Sequence, residues 1–301
     1  MRDPLASSDL VVQSRYAYAL AAARDGDWLT AAEVLEQALE RAPDWPPALF
    51  ALGEAREKLG DAAGAADAFR ATLAADPLDR QGAAARLALL GATPALVDLP
   101  PAYVARLFDD YAPRFDRHLA EALGYRGPTL IVEALDALAP GRRFESALDL
   151  GCGTGLAGAA LRGRVDRLAG VDLSAAMIAR ASLLAIYDAL EVGDVLACLG
   201  REERYDLLVA VDVLGYLGDL APLLAAAARA LEPSGLFAFT VESCAGVGFM
   251  LRATLRFAHA EAYVEATAAR AGLRAVAVRQ APLRREAGVD VDGRIYVLAR
   301  V

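Results

Sequence analysis

Apolar positions over residues 12–79 recur at helical spacing, and the whole pattern repeats. Superposing 12–45 on 46–79 aligns Gly26 with Gly60, Ala31 with Ala65, Leu35 with Phe69, Ala38 with Thr72 and Pro43 with Pro77, every pair 34 residues apart. This predicts two helix–turn–helix pairs. Small residues (Ala19 or Gly53 against Ala31 or Ala65) let the paired helices approach, Leu35 and Phe69 fill the space beside them, and the glycines and prolines end the helices. A third copy begins near Arg80 and stops after one helix, which reads as a cap over the last apolar face. Thr93-Pro94 through Pro100-Pro101 reads as a hinge.

From Phe144 the period changes. Short apolar runs alternate with helical stretches: Phe144–Leu150, then the run ending Val171-Asp172, a third strand before Glu191-Val192, the nearly uninterrupted Tyr205–Asp212, Leu236–Glu242, and two further strands at 274–280 and 294–300. Uninterrupted apolar runs mark strands buried on both faces of a parallel sheet. The first ends in Asp149 and is followed by Gly151-Cys152-Gly153-Thr154-Gly155 and a helix, the opening unit of a doubly wound sheet. The second ends in Asp172, an acid placed to accept ribose hydroxyls. A third acid, Asp194, stands between the third strand and its helix.

In order and spacing these motifs resemble the class I S-adenosylmethionine-dependent methyltransferases over about residues 102–301. The resemblance implies a Rossmann-like, seven-stranded doubly wound sheet. It implies that Asp149 and the Gly151, Cys152, Gly153 loop face the amino-acid half of S-adenosylmethionine. Asp172 would hold the ribose, Leu173 and Met177 the adenine face, and Asp194 the adenine amino group with Val195 beside it. Asp212, after the fourth strand, joins this cofactor set. The stretch Leu107–Leu119, with Tyr111 and Phe115 four apart on one helix face, resembles the N-terminal lid of small-molecule methyltransferases. Tyr111 would then reach the cofactor carboxylate; the same stretch, His118 included, also reads as a helix pair packed on the sheet edge. With the tandem repeats, an Arg256-x-x-His259 segment and Arg284-Arg285-Glu286, the chain is similar to a bacterial group of predicted methyltransferases carrying tetratricopeptide repeats. The implied organisation is an all-α repeat domain over 1–92, a linker and helical lid over 93–143, and the methyltransferase domain over 144–301.

For acceptor chemistry the candidates are His259 as general base and Glu242 at the end of the fifth strand. Each has a plain structural reading too, a helix-capping histidine and a solvated acid. Arg256 and Arg284 are placed to bind an acidic substrate group. After the fourth strand stands Asp212-Val213-Leu214-Gly215-Tyr216 and not the Asn/Asp-Pro-Pro-Tyr/Phe signature of amide- and adenine-nitrogen methylation. A dinucleotide dehydrogenase is disfavoured by the loop spacing and the lack of a Tyr-x-x-x-Lys; the one lysine, Lys58, lies in the repeats.

Composition narrows the partners. Apolar residues make up 56% of 301, enough for a sizeable core, and the net charge of −9 with scattered arginines disfavours nucleic acid. Three distant cysteines and two histidines argue against a metal site or disulfide framework and for a reducing compartment. No apolar run reaches the roughly 18 residues of a membrane span, and the N-terminus lacks a signal-peptide core, so a cytoplasmic location is expected. The expected function is methyl transfer to a small molecule. A protein methyltransferase whose repeats recruit the substrate, or a non-catalytic cofactor-binding scaffold, stays open, as does self-association through the repeats.

Overall fold

The computed structural model describes residues 7, 9–116, 124–286 and 288–301. The chain forms two compact units, residues 1–103 and 104–301.

The first unit is helical: α1 (Leu10–Arg24), α2 (Trp28–Leu39), α3 (Pro46–Lys58), α4 (Ala62–Ala75) and α5 (Ala83–Leu89). Aspartates set three of the starts. Asp9 accepts from Val11 N and Val12 N, Asp27 from Thr30 N and Asp61 from Gly64 N, each satisfying amides that the first helical turn leaves unpaired. Gly26 and Gly60 follow α1 and α3 at φ +82. A Cβ on Gly53 would lie 2.5 Å from the Phe69 ring, so α3 rests on α4 through that missing side chain. Ala19 and Leu35, 34 residues earlier, are buried in the same way. Helix α5 starts at Ala83, where the Asp79 carboxylate collects the amides of Ala83 and Ala84.

In the second unit the strands are β1 (Phe144–Leu150), β2 (Val165–Asp172), β3 (Ala189–Val192), β4 (Tyr205–Ala210), β5 (Leu231–Ser243), β6 (Phe249–Leu251), β7 (Phe257–His259), β8 (Leu273–Glu286) and β9 (Val289–Arg300). The run β3-β2-β1-β4-β5 is parallel, β9 lies antiparallel on β5, and β8 pairs with β9. Helices α6 (Pro101–Tyr111), α7 (Gly127–Leu138), α8 (Leu156–Leu161), α9 (Ala175–Leu183), α10 (Val195–Leu199), α11 (Ala221–Ala230) and α12 (Glu261–Arg270) accompany it. Neighbouring sheet residues point to opposite cores. Leu148, Leu208 and Phe237 join α10, α11 and α12, whereas Ala147, Leu207 and Ala238 join α7 and α8. That two-sided burial explains the unbroken apolar runs.

The sheet holds nine strands among the described residues and not the expected seven. The additions are the short β6 and β7, which pair antiparallel. Leu255 turns at φ +56, Phe257–His259 is a strand, and α12 begins at Glu261 after Ala260, so His259 lies in a strand and does not cap that helix. A three-residue strand is too short to show a period in sequence. Glu242 pairs with Gly293 of β9 on one side and Ala258 of β7 on the other. The hairpin therefore continues the sheet past the end of β4, on the rim where ligands of such sheets bind.

Candidate active site

The loop after β1 is folded against the end of β2. Gly151 N and Cys152 N both donate to the Val171 carbonyl (2.8 and 3.0 Å), and Gly153 N donates to Asp172 Oδ2 at 2.9 Å. Asp172 Oδ1 takes Ser174 N at 2.8 Å. Gly151 has φ +69, and a Cβ there would meet Val213 at 2.4 Å, so conformation and space both require glycine. Cys152 is buried, and burial pushes its thiol up, away from thiolate chemistry. A small cavity of about 40 Å³ lies along this loop, lined among others by Phe115, Tyr125, Gly153, Thr154 and Val211.

Asp149, at the end of β1, is 1% exposed. Its Oδ2 accepts from Tyr187 OH at 2.7 Å, while its buried Oδ1 has no partner. Burial, reinforced by nearby Asp172, pushes its carboxyl up to about 7. Tyr187 enters through space that two glycines leave open. A Cβ on Gly158 would come within 2.2 Å of its hydroxyl, and one on Gly170 within 2.9 Å of its ring. The sequence reading missed Tyr187. The available signal was Gly170, a glycine inside a strand, which marks close approach of another group.

On the other side of β2, Met177 is fully buried, Leu173 half-buried and Val195 buried. Asp194 caps α10, its Oδ1 accepting from Leu196 N and Ala197 N. Ser174 caps α9 through Met177 N, and its hydroxyl donates to Asp109 Oδ1 in α6, which also takes Ala176 N at 3.1 Å. Thr154 Oγ1 donates to Asp116. The stretch Phe108–Asp116 is thus fastened to both the glycine loop and the start of α9. Its aromatics form a chain: Tyr111 on Phe115 (centroids 5.1 Å), Phe115 on Phe108 (6.1 Å) and Phe108 on Tyr216 (5.4 Å). Burial raises the Tyr111 phenol, with Arg114 above its ring opposing. Phe108, inside the expected Leu107–Leu119 block, carries the chain on to Tyr216. Arg117, His118 and Leu119, part of the expected lid, lie outside the described residues.

Past the ends of β4 and β5 lies a cluster of buried ions. Asp212 has φ +65, unusual for a non-glycine residue, and its N–H donates to Thr240 Oγ1 at 2.8 Å. Its Oδ1 accepts from Arg256 Nη2 at 2.7 Å and Arg284 Nη1 at 3.2 Å. Glu242, 2% exposed, accepts at Oε1 from Arg256 Nε and from Arg284 Nη2 at 2.6 Å. Arg284 Nε donates to Glu286, and Arg256 Nη1 to Tyr216 OH at 2.6 Å. Although burial raises it, the Glu242 carboxyl is held low by the two guanidiniums. The Tyr125 phenol is driven up by burial, with Asp212 adding to it. The arginines reach the rim from the β6–β7 turn and from β8. The sequence singled out each of them, but not that they share their partners.

His259 is 1% exposed, in β7. Its Nε2 lies 2.9 Å from the Leu217 carbonyl and 3.2 Å from that of Gly218. Carbonyls only accept, so Nε2 carries the proton and Nδ1 the lone pair; Nδ1 has no partner. Burial pushes the imidazole down to about 4. It does not share a hydrogen bond with Asp212, Glu242 or the arginines. Among the described residues no helix is long and apolar enough to cross a membrane, and no group of three His, Cys, Asp or Glu is placed to hold a metal ion.

A family model described as a methyltransferase domain matches residues 116–270, just over half the chain. Among curated proteins, human methyltransferase-like protein 27 is 38% identical over 97 residues, 32% of this chain and 38% of that protein. The malonyl-[acyl-carrier protein] O-methyltransferase of Salmonella typhimurium is 32% identical over 108 residues, 36% of this chain and 43% of that one. The chain thus spans less than half the length of these relatives. Of solved structures, the N-methyltransferase NodS from Bradyrhizobium japonicum, in complex with S-adenosyl-L-homocysteine, superposes with a TM-score of 0.53 at 18% identity, over 65% of this chain and 98% of that one. The 1,6-didemethyltoxoflavin-N1-methyltransferase of Burkholderia thailandensis gives 0.53 at 19% identity, over 69% and 93%. At these identities the likeness is one of fold.

Proposed function

The chain belongs to the methyltransferase-domain family, its catalytic unit is that of an S-adenosylmethionine-dependent methyltransferase, and from that premise we propose that the whole protein methylates a small-molecule acceptor by in-line displacement. The observation that supports a small acceptor is the fastening of Phe108–Asp116. Asp109 is tied to Ser174 and Ala176, Asp116 to Thr154, and Phe108 packs on Tyr216. A cover bound at these points over the glycine loop and the start of α9 favours a small acceptor over a polypeptide.

The residues present fit the cofactor. Asp149 holds an unpartnered, buried carboxylate oxygen where an ammonium group would be received, and Gly151 keeps its backbone bare of a Cβ beside it. Asp172 has further lone pairs for ribose hydroxyls, with Leu173 and Met177 against the adenine and Asp194 and Val195 at its edge. Tyr111 stands with the cover, and Cys152 and Gly153 contribute backbone. When bound, S-adenosylmethionine supplies a methyl group on a sulfonium. The chain's own part is positioning and exclusion of water, which suffices when the acceptor offers a lone pair in line. In this reading Glu242 organises the arginines, and His259 shapes the β7 rim through its carbonyl contacts. The test is incubation of the protein with methyl-labelled S-adenosylmethionine and a cell extract. Label should enter the small-molecule fraction; label confined to protein overturns the reading in favour of a protein substrate.

The helical unit supports a second element of the proposal. Pairs of helices 34 residues apart, with Phe69 seated on Gly53, are read as tetratricopeptide repeats of the bacterial group named above. They would serve as a surface for a protein partner or a second copy. Three free cysteines support a reducing, cytoplasmic setting. A chain starting at Thr93 should still bind S-adenosylhomocysteine; a folded truncation that fails to bind would make the repeats part of the cofactor site.

A further inference from the structure

Arg256 and Arg284 stand where an acidic substrate group would be met, yet neither is free to meet one. All three nitrogens of Arg256 already donate, to Glu242, Tyr216 and Asp212. All three of Arg284 donate as well, to Glu286, Asp212 and Glu242. Their side chains are 11% and 4% exposed, and three carboxylates surround these two guanidiniums. An anionic acceptor would have to displace one of those carboxylates in a buried setting, which is strongly unfavourable.

Two carboxylates of the cluster are accessible, Glu286, with a side chain 36% exposed, and Asp212. The Asp212 side chain is 21% exposed. Among the described residues its side-chain hydrogen bonds all fall on Oδ1, which leaves Oδ2 without a donor. The backbone holds it there at φ +65, a costly conformation for a residue with a Cβ, of the kind that clusters at functional sites. Its neighbours fix its place: Val211 lines the cavity along the glycine loop, and Val213 packs against Gly151. Beside it the wall is aromatic, Tyr216 with Arg256 stacked on its ring at 4.7 Å and Phe108 edge-on at 5.4 Å.

We propose that Asp212 receives the methyl acceptor, Oδ2 accepting a hydrogen bond from a neutral O–H or N–H carried on a planar ring that rests against Phe108 and Tyr216. This rests on the methyltransferase reading above. In the step, the lone pair of the acceptor oxygen or nitrogen forms the bond to the methyl carbon. The carbon–sulfur bond breaks and sulfur keeps its electron pair. The acceptor proton moves to Asp212 Oδ2 and from there to water. Asp212 Oδ1, held by two guanidiniums, does not rotate away during the transfer. Asp212, expected from sequence to stand with the cofactor, thus serves the acceptor.

The experiment uses the full chain saturated with S-adenosylhomocysteine, with p-nitrophenol and p-nitrobenzoate as probes that share a ring and differ in carrying an O–H or a carboxylate. p-Nitrophenol should bind at least tenfold more tightly than p-nitrobenzoate, and binding should diminish the phenolate absorbance band, because the neutral O–H form is taken up beside a carboxylate. Asp212→Asn should abolish that spectral change and narrow the preference, with S-adenosylhomocysteine affinity within about threefold of the parent. Equal or stronger binding of p-nitrobenzoate, no binding of p-nitrophenol, or loss of S-adenosylhomocysteine affinity in Asp212→Asn overturns the inference. The first two comparisons need only the unaltered protein, so a variant that does not fold leaves the test intact. Failure of the unaltered protein to bind S-adenosylhomocysteine would instead strike at the methyltransferase reading itself.

Discussion

Gly153 N–H donates to Asp172 Oδ2 across 2.9 Å, so one carboxylate fastens the glycine loop after β1 to the end of β2. The same residue takes Ser174 N on its other oxygen. Asp172 therefore shapes both the loop and the start of α9 before any ligand arrives.

Replacing Asp172 with alanine removes two hydrogen bonds to backbone and the proposed ribose acceptor together. S-Adenosylhomocysteine affinity should fall by about 1–3 kcal/mol, measured by calorimetry. An unchanged dissociation constant would take Asp172 out of the cofactor site.

Asp149 makes binding pH-dependent. Its folded carboxyl lies near 7 against an ordinary value of 3.8, so the folded chain holds a proton there that the unfolded chain has released. Stability from this group is present below about pH 4 and declines as pH rises through 7. An ammonium-bearing ligand favours the ionised form, so S-adenosylhomocysteine affinity should rise between pH 6 and 8. Asp149→Asn should flatten that rise and weaken binding at pH 8. A parallel pH profile in the variant would assign the dependence elsewhere.

Phe115, the ring that joins Phe108 to Tyr111, lines a cavity of only about 40 Å³, room for a few waters and far less than a nucleoside requires. Residues 107–116 should therefore shift to admit ligand, then gain hydrogen-exchange protection with S-adenosylhomocysteine present. Phe108→Ala should cut the protection gained and weaken binding several-fold. Equal protection with and without ligand would make the segment a fixed wall.

His259 tests the alternative of a histidine base. Its imidazole is pushed down to about 4 from 6.5, so the stability it confers is present above pH 6.5 and lost as pH falls toward 4. His259→Ala leaves the Leu217 and Gly218 carbonyls without their donor and should cost about 1–3 kcal/mol at pH 7.5 in denaturant titrations. Its stability should then vary less between pH 6.5 and 4, and S-adenosylhomocysteine affinity should stay near that of the parent. A variant as stable as the parent would return His259 to the list of candidates for chemistry.

Much of this chain is decided by local pattern. The acids Asp149, Asp172 and Asp194 end or follow strands whose apolar runs are visible in one dimension, because a strand buried on both faces tolerates little else. The bare loop at Gly151 is visible too, since only glycine serves where φ is positive and a valine side chain presses close. The 34-residue spacing that aligns Ala19 with Gly53 and Leu35 with Phe69 is a property of sequence register alone. Tertiary structure decided what depends on residues far apart in the chain. Tyr187 reaches Asp149 across 38 positions, Arg284 reaches Asp212 across 72, and the hairpin β6–β7 exists because β5 offers it an edge beyond the end of β4. A charge reads the same in sequence whether free or paired. Only the fold shows that Arg256 and Arg284 are spent on carboxylates and that Asp212, among the described residues, keeps one carboxylate oxygen without a donor, since pairing is settled by distance and burial.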